Sequence, residues 1–316
     1  MGEAGLERVC VCAITLARPE GLARMLASVF AQRCEGIELC VAVVENDGSG
    51  AMREVVAEAA RRAGFDGGRV AFGTEGRRGI PFARNAALRL AEERFSPGVF
   101  AFIDDDETAE ADWLSRSVAA LREFDADVAQ GRAEPAFVDG EPAGWVVRGG
   151  FFRLPRYAHG AELRVAFTNN VAFRRRVLEA LRPMFDESLG MTGADDSEAF
   201  MRAWRSGFRI VWADDAVTHE WTPASRARAR WVWQRGYRVG NSMALLAWKF
   251  DGWRGRARGL GIGVYRIGKG SFFLPILGPW RKELGVLYVR HVCYGAGAVM
   301  GAFGRAYGEY RKVHGR

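Results

Sequence analysis

Four consecutive acids, Asp104-Asp105-Asp106-Glu107, end the apolar run Val99-Phe100-Ala101-Phe102-Ile103. Carboxylates at adjacent positions repel and raise one another's pKa, a cost that a bound divalent cation relieves. Oxygen-only ligands suit Mg²⁺ or Mn²⁺ holding a substrate diphosphate. The competing reading is a solvated turn that starts the next helix, because acids favour helix N-termini. A second acidic group, Asp195-Asp196-Ser197-Glu198, follows Gly193-Ala194 and precedes an amphipathic stretch with Phe200, Met201 and Trp204. Capping of that helix by Asp195 or Asp196 is its plainest explanation.

The elements around these acids follow a pattern. Residues 9–16 form a continuous apolar run of strand length. Leu22, Met25, Leu26, Val29 and Phe30 then recur at helical spacing. A β-branched run over 37–44 ends in Glu45-Asn46-Asp47-Gly48-Ser49-Gly50. Helices are expected at 51–63, 81–93 and 113–124, and strands at 70–72, 99–103, 128–131 and 208–213. Segment 136–165, broken by Gly and Pro, resists assignment. The β-α-β alternation predicts a parallel sheet with helices on both faces. Ligands of such sheets sit beyond the carboxyl ends of the strands. Thr15, the segment from Glu45 to Ser49, and Asp104 to Asp106 should therefore share one rim. There is neither a Gly-x-Gly-x-x-Gly after the first strand nor a Gly-Lys-Ser/Thr phosphate loop.

Five features in order resemble the inverting nucleotide-sugar glycosyltransferases of family 2, over about residues 8–222. They are the opening strand with Thr15 and Arg18-Pro19; Val43-Val44-Glu45-Asn46-Asp47; Gly79-Ile80-Pro81-Phe82-Ala83-Arg84-Asn85; Phe102-Ile103-Asp104-Asp105-Asp106-Glu107; and Gly193-Ala194-Asp195-Asp196-Ser197-Glu198. With Trp233, Arg235, Gly236, Gly240 and Asn241, the chain looks most like the glucosyltransferases of succinoglycan-type exopolysaccharides. The resemblance implies an α/β GT-A fold, with a mostly parallel central sheet flanked by helices. It also implies a catalytic domain over 1–222 and a basic, mainly helical extension over 223–316.

The resemblance implies roles residue by residue. Thr15, Arg18, Glu45 and Asp47 would bind the base and ribose of a UDP-sugar, with Glu45 in place of the usual Asp. A carboxylate accepting a uracil N–H is chemically sensible, while Asp47-Gly48 also reads as a plain turn. Arg84 would reach the nucleotide or the acidic turn; the alternative is a solvated helix residue. Asp104, Asp105 and Asp106 would meet the donor, with Asp104, Asp106 and His219 holding Mn²⁺ or Mg²⁺ against the leaving diphosphate. His219 also reads as structural. Inversion needs one base for the acceptor hydroxyl, and the matching residue is Asp196, beside Asp195. Asn169 and Trp221 would lie near the acceptor or behind the site.

Charge separates the two parts. Residues 221–316 hold 18 Lys+Arg against three acids, a net +15, whereas the remainder carries −8 of the total +7. Arg alternates there with Trp, Tyr, Phe and Leu, as suits an anionic membrane surface. Simple packing on the catalytic domain is the alternative, and no nucleic-acid module is present. The N-terminus lacks the pattern of a signal peptide. The stretch from Leu284 to Gly304 contains Arg290 and His291, so it does not read as a membrane span. Cys10, Cys12, Cys34, Cys40 and Cys293 read as reduced core thiols of a cytosolic protein. The expectation is a cytoplasmic enzyme, peripheral on the bacterial inner membrane, that glycosylates a glycan or lipid-linked acceptor. The alternatives are a non-catalytic sugar-nucleotide-binding relative and a nucleotidyltransferase.

Overall fold

A computed structural model describes residues 6–190 and 193–308. The first residues of the N-terminus and the last basic ones, Arg311, Lys312 and Arg316, lie outside the described residues. β1 (Glu7–Thr15) and β2 (Ile37–Glu45) pair in parallel from Glu7 against Ile37 to Thr15 against Glu45. β3 (Val70–Thr74) joins β2 in parallel, and β4 (Val99–Ile103) joins the other side of β1 in parallel. All five side chains of β4 are buried, as its unbroken apolar run requires of a central strand.

Period-two alternation divides the core. Val9, Val11 and Ala13 of β1 face one layer, against Leu22, Met25, Leu26 and Val29 of α1 (Pro19–Phe30) and Val56 of α2 (Arg53–Arg62). Cys10 and Cys12 face the other, against Ala83, Ala87, Leu88 and Ala91 of α3 (Ile80–Phe95). The four buried side chains of α1 contribute roughly 6–12 kcal/mol of transfer free energy before entropy is subtracted. Packing therefore holds this helix, since one of 12 residues is marginal alone. Cys10, Cys12 and Cys40 are buried free thiols, and the free thiols Cys34, packed against the core, and Cys293 are half-buried.

Beyond β4 the sheet departs from the expected parallel order. β8 (Asn170–Arg174) runs antiparallel to both β4 and β6 (Val128–Phe137). β9 (Ile210–Thr222) is parallel to β6, with an irregularity at Gly131/Arg132. β5 (Glu107–Ala109) and β7 (Glu162–Leu163) are antiparallel to β9. The order is β3-β2-β1-β4-β8-β6-β9-β5, with β7 also on β9. Sheet direction is not written in an apolar run, so this mixed half was not foreseen. β9 also continues to Thr222, past the expected end at 213. Beside the sheet lie α4 (Trp113–Glu123), α6 (Arg175–Ala180) and α7 (Asp195–Arg205), whereas α5 (Gly144–Gly149) packs against the C-terminal helices.

The C-terminal part is helical: α8 (Ala229–Leu277), broken at Gly252 with φ 56°, and α9 (Lys282–Ala302). α9 touches both limbs of α8 through glycines. A Cβ on Gly240 or on Gly297 would come within 2.0 Å of the carbonyl oxygen of Tyr294 or Tyr237. Among the described residues, no helix is long and apolar enough to cross a membrane. The extension packs on the body. Trp231 stacks on Phe152 at 5.1 Å, and Lys249 Nζ lies 2.9 Å from Glu198 of α7.

Candidate active site

The β1 end and the β4 end meet at hydrogen-bonding distance. Thr15 Oγ1 donates to Asp105 Oδ2 at 2.8 Å, and Arg18 Nη1 donates to Asp105 Oδ1 at 2.9 Å and Asp106 Oδ2 at 3.2 Å. Gly21 permits this contact, since a Cβ there would lie 2.7 Å from the Asp105 carbonyl oxygen. The acidic turn is thus seated on the first turn of α1. On its other side, the Trp221 amide donates to the Asp106 carbonyl at 2.8 Å, and Arg226 Nη1 donates to Asp106 Oδ2 at 3.0 Å.

Arg84 comes from α3, whose start carries Pro in its first turn and Gly79 as N-cap. Asn46 fixes that start by accepting the Gly79 amide at 3.2 Å and donating to the Arg77 carbonyl at 2.8 Å. Arg84 is buried. Its Nη1 donates to Asp195 Oδ2 at 2.6 Å, its Nη2 lies 3.9 Å from Asp104, and its guanidinium lies 5.6 Å from the centre of the Phe185 ring. Asp195 and Asp196 are the first residues of α7, and its N-cap, Ala194, offers no side-chain cap. Neither aspartate caps the helix. Asp196 Oδ1 instead accepts the Ser197 amide at 2.6 Å.

Electrostatics mark the same group. Burial, with Asp106 and Asp105 alongside, pushes the half-buried Asp104 carboxyl up to about 7, against the pull of Arg84. Burial also raises Asp105, opposed by Arg18, and raises Asp196, opposed by Arg84 and reinforced by Asp195. Burial next to Asp104 and Glu220 holds Glu107 well above the carboxylate range. A divalent cation fits a turn where burial and neighbouring carboxylates disfavour the charged form of Asp104 and Asp105. Among the described residues, no three His, Cys, Asp or Glu side chains surround one point. Protein carboxylates here would thus supply only part of a coordination shell, as Mg²⁺-like ions sharing substrate phosphates require.

Thr15, Arg18, Asp105 and Asp106 form one hydrogen-bonded group and Arg84 and Asp195 a second, with Asp104 3.9 Å from Arg84 between them and Asp196 beside Asp195. The remaining expected residues make other contacts. Glu45 is fully buried; its Oε1 accepts Ser49 Oγ and the Met52 amide, both at 3.2 Å, while Oε2 has no partner. Asp47 closes a turn, accepting the Ser49 amide at 2.9 Å. His219 contacts Glu110, Nε2 to Oε1 at 3.2 Å. β5 and β9 set that placement by pairing His219 with Thr108. Asn169 donates to Glu107 at 3.1 Å, and Trp221 Nε1 donates to Thr108 Oγ1 at 2.9 Å.

Three residues escaped the sequence reading. Arg226 was counted only as tail charge, and nothing local signals its contact 120 residues back. Glu107 was read as the last acid of a turn rather than a buried carboxyl. The polar Asn46, between Glu45 and Asp47, was the most visible of the three, as a side chain that could tie down a neighbouring loop.

With this geometry in place, the relatives can be compared. The family described as glycosyl transferase family 2 matches residues 10–182. The succinoglycan biosynthesis protein ExoM of Rhizobium meliloti (strain 1021) is 32% identical over 243 residues, 76% of this chain and 75% of that protein. The mannosyltransferase PcManGT from Pyrobaculum calidifontis, in complex with GDP-Man and Mn²⁺, is similar with a TM-score of 0.60 and 18% identity, over 94% of this chain and 88% of that one. S. aureus TarS 1-349 in complex with UDP gives a TM-score of 0.53 and 17% identity, over 95% and 93%. These two structures share the fold, including the region of the helical extension.

Proposed function

Because the chain belongs to glycosyl transferase family 2 and has the GT-A fold, we propose that it moves a hexose from a UDP-sugar to a hydroxyl of a glycan or lipid-linked acceptor, with inversion, in exopolysaccharide synthesis. Glucose is the proposed hexose. The observation that carries this reading is that the acidic turn is hydrogen-bonded by Thr15 and Arg18 through Asp105 and Asp106, while Arg84, hydrogen-bonded to Asp195, lies 3.9 Å from Asp104 of the same turn. ExoM's role in succinoglycan biosynthesis supports the product class, and the UDP bound to TarS supports the nucleotide.

Asp196 takes the proton of the acceptor hydroxyl. Its raised pKa strengthens it as a base, and Arg84 and the α7 N-terminus favour its ionised form. Asp195 holds Arg84 in place. Glu45 holds the loop from Ser49 to Met52 that meets the base of the nucleotide. Asp104 and Asp106 hold the divalent cation, which, when bound, neutralises charge on the diphosphate. Arg18 and Arg226 supply further positive charge at the same carboxylates. The extension, with its excess of positive charge, rests on the anionic cytoplasmic face of the inner membrane.

Thermal-shift and product assays with a nucleotide-sugar panel and Mn²⁺ test the proposal. Stabilisation by UDP-hexoses and release of UDP are expected. Release of pyrophosphate would instead identify a nucleotidyltransferase, and binding without any release a sugar-nucleotide-binding relative.

A further inference from the structure

Away from the acidic crevice, the helical extension gathers cations. The second limb of α8, 253–277, places Arg266 and Lys269 one turn apart. Close approaches of Gly263 to Gly295 and of Gly270 to Tyr288 set these residues opposite the middle of α9. There Arg266 Nη1 lies 3.2 Å from His291 Nδ1 and stacks 4.2 Å from the Tyr294 ring centre. On the first limb, Gly236 packs on the Arg290 side chain, which brings Arg235 to the same level. The carboxylates of the described extension are engaged elsewhere: Asp251 with Arg205 and Arg258, Glu283 with Arg148 and Arg281. Burial beside Arg235 and Arg266 holds Arg290 below its ordinary value, and burial near Arg266, Lys269 and Arg290 lowers His291 to about 4. Partly buried like charges are costly to assemble, and an anion among them recovers that cost.

The same limb carries an apolar face. Between Gly261 and Trp280, every exposed residue is uncharged. Tyr265 is 65% exposed and Phe272 63%. Ile262 precedes Arg266, and Tyr265 precedes Lys269, by one helical turn, so the hydrocarbon and the charge share one side. A free phosphate would use only the charge; a neutral lipid would use only the face.

We infer that Arg266, Lys269, Arg290 and His291 bind a phosphate group carried on a lipid, whose hydrocarbon lies along Ile262, Tyr265 and Phe272. The two sources of that chemistry are a bilayer phospholipid and a phosphorylated lipid acceptor. The inference rests on the reading that the enzyme works at a membrane. It is tested without sugar transfer, so its failure leaves the donor assay untouched.

The test is flotation of the full chain with phosphatidylcholine vesicles, alone or containing phosphatidylglycerol or a polyprenyl phosphate at equal surface charge. Binding to at least one of the two vesicles whose phosphate carries no compensating choline cation, and not to phosphatidylcholine alone, is expected, and the stronger one names the source. R266Q with K269Q should lower partitioning by about tenfold or more, since each basic residue near an anionic surface contributes measurably. R230Q with R254Q, exposed and outside the cluster, should lower it less than about threefold on the same scale. Equal losses for both pairs, equal binding to all vesicles, or no binding would overturn the inference. A readout free of variants is the His291 imidazole titration, which should move up by about one pH unit when dodecyl phosphate joins the cations. An unchanged His291 at saturating dodecyl phosphate would overturn the inference equally.

Discussion

At the scale of single residues, Arg84 and Arg226 play different parts. Arg84 is buried against Asp195, with side-chain exposures of 8% and 1%. Removing one partner of a buried pair leaves an uncompensated charge, which costs about 3–5 kcal/mol. R84Q should therefore unfold at markedly lower denaturant, and R84Q combined with D195N should recover part of the loss; a change under about 1 kcal/mol in R84Q would contradict the pairing. Arg226 shares Asp106 Oδ2 with Arg18 and so competes with any cation that uses this carboxylate. R226Q should bind Mn²⁺ about threefold or more tightly without nucleotide in calorimetry, because a competing positive charge is gone. Unchanged or weaker binding would show that Arg226 does not compete. The acids themselves were readable because they are contiguous and follow a buried strand. Arg226 was not, because its partner is fixed only by how β9 returns to the acidic turn.

At the scale of elements, β1 to β4 and their helices follow from apolar runs and their spacing. β8 did not, since five residues after an irregular segment say nothing of pairing direction. The short β5 was hidden because Glu107 reads as part of an acidic turn, although it begins a strand beside β9. Two elements make testable contacts. Gly21 lets α1 sit on the acidic turn, so G21A should cost about 1–3 kcal/mol through overpacking and weaken UDP binding; wild-type affinity would contradict the contact. α9 is tied to α5 through Glu283, whose carboxyl Arg148, with help from Arg281, holds down at about 2. A carboxyl lowered on folding stabilises above its unfolded pKa, and that contribution is lost as pH falls from about 4.5 through about 2. Amide hydrogen exchange of α9, corrected for the intrinsic pH dependence of exchange, should speed up over that window in the wild type. E283Q should flatten the rise, and an identical profile would disprove the tie.

At the scale of the molecule, the opposed charges of body and extension have separate structural meanings. The body's acids include the joined turn and the α7 pair. The extension's cations include Arg226, which belongs to the crevice, and the Arg266 cluster, which does not. Composition alone could show the imbalance but not this division, because helix packing through Gly236, Gly263 and Gly270 decides which cations meet. The two parts are also physically continuous, as Lys249 reaches Glu198 on the helix that begins with Asp195 and Asp196.

Hexose transfer in this crevice is proposed to use Asp196 as base. The most direct measurement is UDP release from UDP-hexose and acceptor by the wild type and by D196N, with UDP affinity measured on both. The account predicts a loss of about 10²-fold or more in turnover, the scale of positioned general bases, with nucleotide affinity retained. Undiminished turnover by D196N would contradict it.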